Sequence, residues 1–477
     1  MNTSNIIWTA AEAIQATGGH CSGKNWSAMG ISIDTRTLQA GDIFVALQGD
    51  NGDGHEYVAQ AIEKGAVVAI VTKQIDGVSD NKLLIVDDTL KAMEALGQAA
   101  RARTSAKVIG ITGSVGKTGT KEMLSIALEG QGQTHASIKS YNNHWGVPLS
   151  LSTMHAGTDY GVFEMGMNHA GEIAPLSQMV KPDVSIITTI AAVHVGNFDD
   201  GIDGIIEAKA EIFDGMAEGT SAVLNRDIPA FDTLQEKAQS KNLKVYSFGE
   251  HEDADAKIIE CLEAANGSRV KAEVMGEEIN FTLQIAGRHI VHNALSVLLA
   301  VKLSGADVQK AAQALAKQTP IIGRGKRELI ESGIKDNPIT LIDESYNASP
   351  AAMSAAFKVL ALVDPGRGGR RIAVLGDMLE LGKDSAKMHE DLKLPLKAAN
   401  VDLVYTCGQN MRKLYDTLPA NQRGAHKETS RELSEIVPDV LVPGDVVMVK
   451  GSLGSKMGVV VEALRTLPHK FSKNKKV

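Results

Sequence analysis

The sequence predicts an α/β protein of three domains. A small N-terminal α/β domain spans 1–88, and a central domain spans 89–318, with a P-loop on a mostly parallel sheet. A C-terminal Rossmann-like α/β domain spans 319–477. Three observations carry that prediction. A chain of 477 residues has room for about three domains of ordinary size. From Lys107 onward, apolar runs of strand length alternate with helical patterns, as a parallel sheet requires. The 46 glycines and only 4% aromatics indicate many tight strand-to-helix turns around aliphatic cores.

In the first domain GDIFVAL and GAVVAIV have strand character, AQAIEKGA has helical character, and no phosphate loop occurs. Near the N-terminus, Thr9 and Glu12 have the spacing of a helix capping box. TLKAMEALGQAARART makes a connecting helix. KVIGIT is then a strand, TGSVG a turn, and KEMLSIALEG a helix closed by Gly130. YGVFEMG, VSIITTI and SAVLN are further strands. Residues 269–285, RVKAEVMGEEINFTLQI, alternate polar and apolar around a Met-Gly turn and predict a hairpin, after which RHIVHNALSVLLAVKLSG returns as a helix. The third domain has strands ITLID, RIAVLGD, VDLVYTCG and VVMVKGS, and a helix start with Ser349 as N-cap and Pro350 at its first position.

Apolar content of 43% is ordinary for a globular protein, and a net charge of −8 argues against a dedicated nucleic-acid binder. Phosphates must then be held locally, by loops, a few cations and metal. Cys21, Cys261 and Cys407 lie far apart, form no metal-ligand spacing and suit a reducing cytoplasm. No Lys or Arg precedes Lys24, so the N-terminus does not read as a secretory signal, and no apolar run approaches the ~20 residues of a membrane span. The basic tail KFSKNKKV reads as a solvated, frayed end. Nothing in the sequence demands more than a monomer.

The stretch TGSVGKTGTKE at 112–122 carries the first chemical signal. Backbone N–H groups of a glycine turn converge on an anion, and the following helix adds its positive end. Lys117 supplies a point charge to outer phosphates and Thr118 a hydroxyl to Mg²⁺. The loop is a variant: the strict pattern wants glycine at 111, where isoleucine stands, and glycines occur at 110 and 113. Thr118, Glu164 and His194 all fall at or just past strand carboxyl ends, where open parallel sheets bind ligands. Their oxygens and imidazole suit Mg²⁺ or Mn²⁺. In GIIEAKAEIFDGM, Lys209 completes an apolar helical stripe four residues after Ile205. Such a lysine pairs with Glu207 or Glu211, or stays neutral and takes up CO₂ as a carbamate.

From about residue 30 to 465 the chain resembles the Mur ligase family. The likeness rests on DTR with GDIFVALQGDNGDGHEY, GITGSVGKTGTKE, YNNHWGVPLSL, EMGMNHAGEI, AAVHVGNF, AKAEIF, GRHIVHNAL, GR at 323–324, LIDESYNASP, LGDMLELG and VKGS, in that order. DESYNASP and LGDMLELG favour the member that adds a dipeptide. The resemblance implies that Thr112, Gly113, Ser114, Val115, Gly116, Lys117 and Thr118 hold ATP phosphates, and that Glu164 and His194 bind magnesium. It implies that Lys209 is N6-carboxylated, and that Lys117, His194 and Lys209 form the catalytic set. Asn293 would meet the adenine side, and Arg324 and Asp343 would close over ribose and phosphates. Asp34, Thr35 and Arg36 would meet a UDP-sugar, and Asn347 the incoming dipeptide or nucleotide. Glu344 and Ser349 depart from a DDSYNANP-like motif, which affects fine contacts there.

The expected activity is ATP-dependent joining of D-alanyl-D-alanine to UDP-N-acetylmuramoyl-tripeptide (UDP-MurNAc-tripeptide) through an acyl phosphate, with two Mg²⁺ ions. The alternatives are a sibling ligase adding the third residue, a folylpolyglutamate synthetase, and a nucleotide-gated binding protein without ligase activity.

Overall fold

The computed structural model describes residues 6–49, 52–138 and 140–467; the basic tail KFSKNKKV lies outside the described residues. Among the described residues three main sheets follow one another along the chain, beside two short two-stranded ribbons. The first has four parallel strands in sequence order, Gly30–Ser32, Asp42–Val45, Val68–Val71 and Leu83–Ile85. Asp42–Val45 and Val68–Val71 are buried along their whole length, which is why they read as unbroken apolar runs. The helix Thr89–Ala102, capped by Asp88, leads into the second sheet.

That sheet has nine strands. Thr134–Ala136, Tyr160–Glu164, Lys107–Thr112, Val184–Ile187, Ser221–Asn225, Lys244–Gly249 and Ala256–Ala264 are parallel, and Gly267–Val274 and Glu277–Leu283 continue antiparallel. Helices cover both faces. Lys117–Glu129, Arg288–Leu303 and Val308–Leu315 pack on one core, and Ile173–Val180, Ile202–Ala210 and Phe231–Ser240 on the other. The register decides where the chemistry goes. Glu164 stands beside Ile111 and Ile187 beside Thr112, so three adjacent strands end together at the rim where the P-loop begins.

The third sheet orders Lys326–Ile330, Ile339–Glu344, Val446–Lys450, Arg371–Gly376, Leu403–Cys407 and Arg423–Lys427, all parallel except the first. The expected hairpin forms at Gly267–Val274 and Glu277–Leu283, but it is the outer part of a three-stranded unit. Its first strand, Ala256–Ala264, escapes the sequence pattern because a bulge between Ile258 and Glu260 breaks the alternation and leaves Ile259 and Leu262 exposed. The strands Lys326–Ile330 and Arg423–Lys427 also escape it. Both are edge strands, and their charged residues protect open edges instead of marking a buried face.

Local caps follow the sequence closely. Thr9 and Glu12 close the reciprocal capping box, and the Ser349 hydroxyl accepts the Ala352 N–H with Pro350 at the first helical position. Ser349→Ala is expected to lower stability by about 1 kcal/mol, read as a shift in the denaturant midpoint, because the buried cap then leaves an N–H unsatisfied. An unchanged midpoint would mean that Pro350 alone sets the helix start. Among the described residues no helix is long and apolar enough to cross a membrane.

Candidate active site

The P-loop turn requires glycine at 113. Its φ is +142°, and a Cβ there would lie 2.0 Å from Thr188 Oγ1. Neighbouring residues lock the loop onto the adjacent strand end. The Thr188 hydroxyl donates to the Val115 carbonyl at 2.5 Å, Ser114 N–H donates to the Thr189 carbonyl, and the Ser114 hydroxyl to the Ala191 carbonyl. Thr112 is buried at the end of its strand. Gly116 caps the helix Lys117–Glu129, whose first N–H groups have no acceptor within the helix. Lys117 folds over the loop, with Nζ 2.6 Å from the Gly113 carbonyl. Burial lowers its pKa, opposed by Glu164 and reinforced by Arg324.

Glu164 is buried at its strand end and accepts from two sides. Thr118 Oγ1 donates to Oε2 at 3.0 Å and Asn142 Nδ2 to Oε1 at 2.7 Å. The two oxygen groups expected to bind magnesium are thus in direct contact. His194 stands one rim loop away with φ +59°, and its Nδ1 pairs with Glu380 Oε2, which belongs to LGDMLELG of the third domain. Burial lowers the pKa of the imidazole, countered by Glu380 and reinforced by Lys117 and Lys209. Among the described residues no three His, Cys, Asp or Glu side chains form a metal-holding group.

Lys209 is 2% exposed. Of its two potential partners, Glu207 pairs with Lys237 at 2.6 Å, and Glu211 accepts the N–H groups of Gly171, Ile173 and Ala174. Burial, then nearby Lys117, lowers the Lys209 pKa well below the usual value, with Glu211 opposing. The helix Ile202–Ala210 therefore delivers a buried amine of low basicity to the neighbourhood of Lys117 and His194.

A cavity of about 450 Å³ opens between the second and third domains. Val115, Gly116 and Asn293 line it from the central domain, and Arg324, Glu344, Asn347 and Lys450 from the C-terminal domain. Asn293 packs directly over Gly116. Arg324 stacks 4.5 Å from the Tyr346 ring, and Lys450 Nζ bridges Glu344 Oε2 and the Asn347 carbonyl at 3.0 Å each. Asp343 is placed differently. Its buried carboxylate accepts from the Ser345 hydroxyl at 2.6 Å and approaches Arg465 Nη2 at 3.4 Å, and Glu344 lines the wall beside it. Asp34, Thr35 and Arg36 lie on the first domain, outside this lining. Arg36 forks onto Asp34 with Nη2–Oδ2 at 2.6 Å, and Thr35 bonds Gln60.

Sequence reasoning missed Glu380, Asn142, Glu344 and Lys450 as site residues. Each lies inside a stretch quoted for the family likeness, so the signal was the motif, without any indication of which side chain faced the cleft. One loop carries its own pH sensitivity. Buried His389 accepts the Met378 N–H at Nε2 and donates from Nδ1 to the Ser385 carbonyl, which pins LGDMLELG. Burial lowers its pKa, opposed by the Ser385 carbonyl and Asp377. The unfolded chain then binds a proton at a higher pH than the native one, so stability falls as pH drops below the unfolded value of about 6.5. Denaturant midpoints at pH 7.5 and 5.5 should differ less in His389→Gln than in the unaltered chain; an identical pH slope would contradict this.

A glycine-rich anion cradle at the rim of a doubly wound sheet, roofed by a second α/β domain, defines a nucleotide-dependent enzyme with a shared interdomain site. The chain belongs to the Mur ligase family: it matches the Mur ligase family catalytic domain over 28–104, the Mur ligase middle domain over 111–301 and the Mur ligase glutamate ligase domain over 328–453. It is 33% identical to the UDP-N-acetylmuramoyl-tripeptide–D-alanyl-D-alanine ligase of Rickettsia prowazekii, over 91% of this chain and 94% of that one. The enzyme of the same name from Escherichia coli is 31% identical, over 96% and 99%. Among solved structures, MurF from Acinetobacter baumannii superposes with a TM-score of 0.84 at 30% identity, covering 96% of this chain and 98% of that one.

Proposed function

We propose that this chain is an ATP-dependent acid–amino-acid ligase that joins D-alanyl-D-alanine to UDP-MurNAc-tripeptide, giving the UDP-MurNAc-pentapeptide precursor of peptidoglycan. The observation that carries it is the interdomain cavity, where the P-loop at Val115 and Gly116 faces Arg324, Glu344, Asn347 and Lys450. The full-length likeness to enzymes of that name supports the choice of acceptors. We place the protein in the cytoplasm, as a monomer.

A carboxylate is a poor electrophile and must be activated first. The tripeptide's terminal carboxylate oxygen attacks the γ-phosphorus of ATP, the bond to the bridging oxygen breaks, and ADP leaves an acyl phosphate behind. The uncharged amine of D-alanyl-D-alanine then attacks the acyl carbon. Collapse of the tetrahedral species expels phosphate, and the amine nitrogen loses a proton to give the amide. No side chain has to become covalently attached, so the protein contributes position and charge. The loop from Thr112 to Thr118 cradles phosphates, Lys117 and Arg324 offset their charge, and Asn293 borders the nucleoside end. Asp34, Thr35 and Arg36 face the UDP-sugar on the first domain, and Asp343, on the third domain, holds Ser345 beside the wall of the interdomain cavity.

The oxygen donors Thr118 and Glu164, already in contact, fit a hard cation, and His194 and Lys209, the latter if carboxylated, would complete the set that holds magnesium. Magnesium bound there would neutralise charge on the phosphates. The test is mass spectrometry of products from ATP, synthetic UDP-muramoyl tripeptides and D-alanyl-D-alanine. A pentapeptide product, with phosphate release that needs both acceptors, is expected. Product only with a single amino acid or with a folate would overturn the assignment.

A further inference from the structure

The turn from Ser140 to Trp145 in the central domain touches both other domains. Tyr141 and Trp145 pack against the core of the first domain, and a Cβ on Gly49 of that domain would lie 2.7 Å from the Trp145 ring. The Tyr346 hydroxyl of the third domain reaches Ser140 Oγ at 3.5 Å, and Arg324 stacks on that tyrosine ring. Between these contacts, Asn142 reaches Glu164.

Asn142 grips the end of the strand Tyr160–Glu164 twice. Its side-chain N–H donates to Glu164 Oε1 at 2.7 Å, and its main-chain carbonyl accepts the Gly166 N–H at 2.8 Å. Position 166 has room only for glycine. A Cβ there would lie 2.9 Å from the carbon and oxygen of the Asn142 amide, although the backbone is not left-handed. The glycine therefore serves the close approach of the amide and not a turn. Glu164 is buried, and its other oxygen, Oε2, accepts from Thr118. A donor fixed on one carboxylate oxygen sets the plane of the group and leaves the second oxygen aimed in one direction. A neutral amide does this without repelling Glu164 and without adding a competing negative charge.

We propose that Asn142 is a positioning residue for the divalent cation. Its amide orients the Glu164 carboxylate so that Oε2 stays directed at Thr118 Oγ1, the two oxygens such an ion would share, and bare Gly166 keeps the amide in place. The role rests on the cation reading of Thr118 and Glu164. Hydrogen-bond partners of this kind, one step behind a ligating carboxylate, change metal affinity by about 10–100-fold when removed.

The test is titration of Mn²⁺ into the full chain, read as loss of the free-Mn²⁺ electron paramagnetic resonance signal. ADP affinity in EDTA is measured beside it, and no turnover is needed. Uptake of Mn²⁺ that Mg²⁺ displaces is expected in the unaltered chain. Asn142→Ala should weaken it by about 10–100-fold while metal-free ADP binding is retained. Gly166→Ala should weaken it in the same direction, because the new methyl displaces the amide with Asn142 still present. Unchanged Mn²⁺ affinity in folded variants would overturn the proposal and leave the cation reading standing. A loss matched by an equal loss of metal-free ADP binding would also overturn it, since that is general damage to the rim. No Mn²⁺ uptake by the unaltered chain would remove both the proposal and the cation reading. If Asn142→Ala fails to fold, Gly166→Ala decides alone.

Discussion

Lys117→Ala is expected to lower turnover by about 10³-fold while the protein stays folded. Lys117 Nζ hangs over the loop at the Gly113 carbonyl, and Glu164 and Arg324 are charges that act on it. In phosphoryl transfer the protein supplies little beyond placement and positive charge, so losing a cation at the loop removes stabilisation that exists mainly in the transition state. The fold should barely notice. The ammonium is already penalised by desolvation, and alanine is a good residue at the first turn of a helix. Steady-state ADP release beside a denaturant melt would show the split. Near-normal kcat in a folded variant would remove Lys117 from the chemistry.

Lys209→Arg is expected to lose activity by about 10²–10³-fold, the scale of one electrostatic group in a preorganised site. Arginine keeps length and charge, stays protonated, and forms no carbamate under these conditions. The neutral amine is the form that adds CO₂. Burial and Lys117 lower the Lys209 pKa, so that form is available at a lower pH than for a free lysine. Acidification protonates the amine and drives CO₂ off, so activity should fall toward acid pH. Depleting CO₂ should do the same at constant pH, with recovery on adding bicarbonate. With ¹³C-bicarbonate, a carbamate carbon signal should appear in the unaltered protein and be missing from Lys209→Arg. Full activity of the arginine variant would end this reading.

The legible part of this molecule was what short-range order dictates. Strand, glycine turn and helix at 107–129 announced a phosphate cradle, and strand Tyr160–Glu164 ends beside it because neighbouring parallel strands end at one rim. Lys209 was legible as a charge on an apolar stripe, although the sequence left its pairing with Glu207 or Glu211 open. The structure occupies the first with Lys237 and the second with backbone N–H groups. The roof of the site was not legible side chain by side chain. Glu380 meets His194 only because two domains come together, and within the third domain Arg465, on the last described helix, approaches Asp343 from far along the chain. Contacts between domains leave no periodicity in either partner.

The meeting of the two domains at Gly196 and Gly382 has a consequence of its own. A Cβ on Gly196 would lie 2.7 Å from the Gly382 Cα, so main chain rests on main chain there. A single methyl at 196 would act as a spacer, wedging the halves open and pulling Glu380 off His194. The machine would jam at its seam with every reactive side chain still in place.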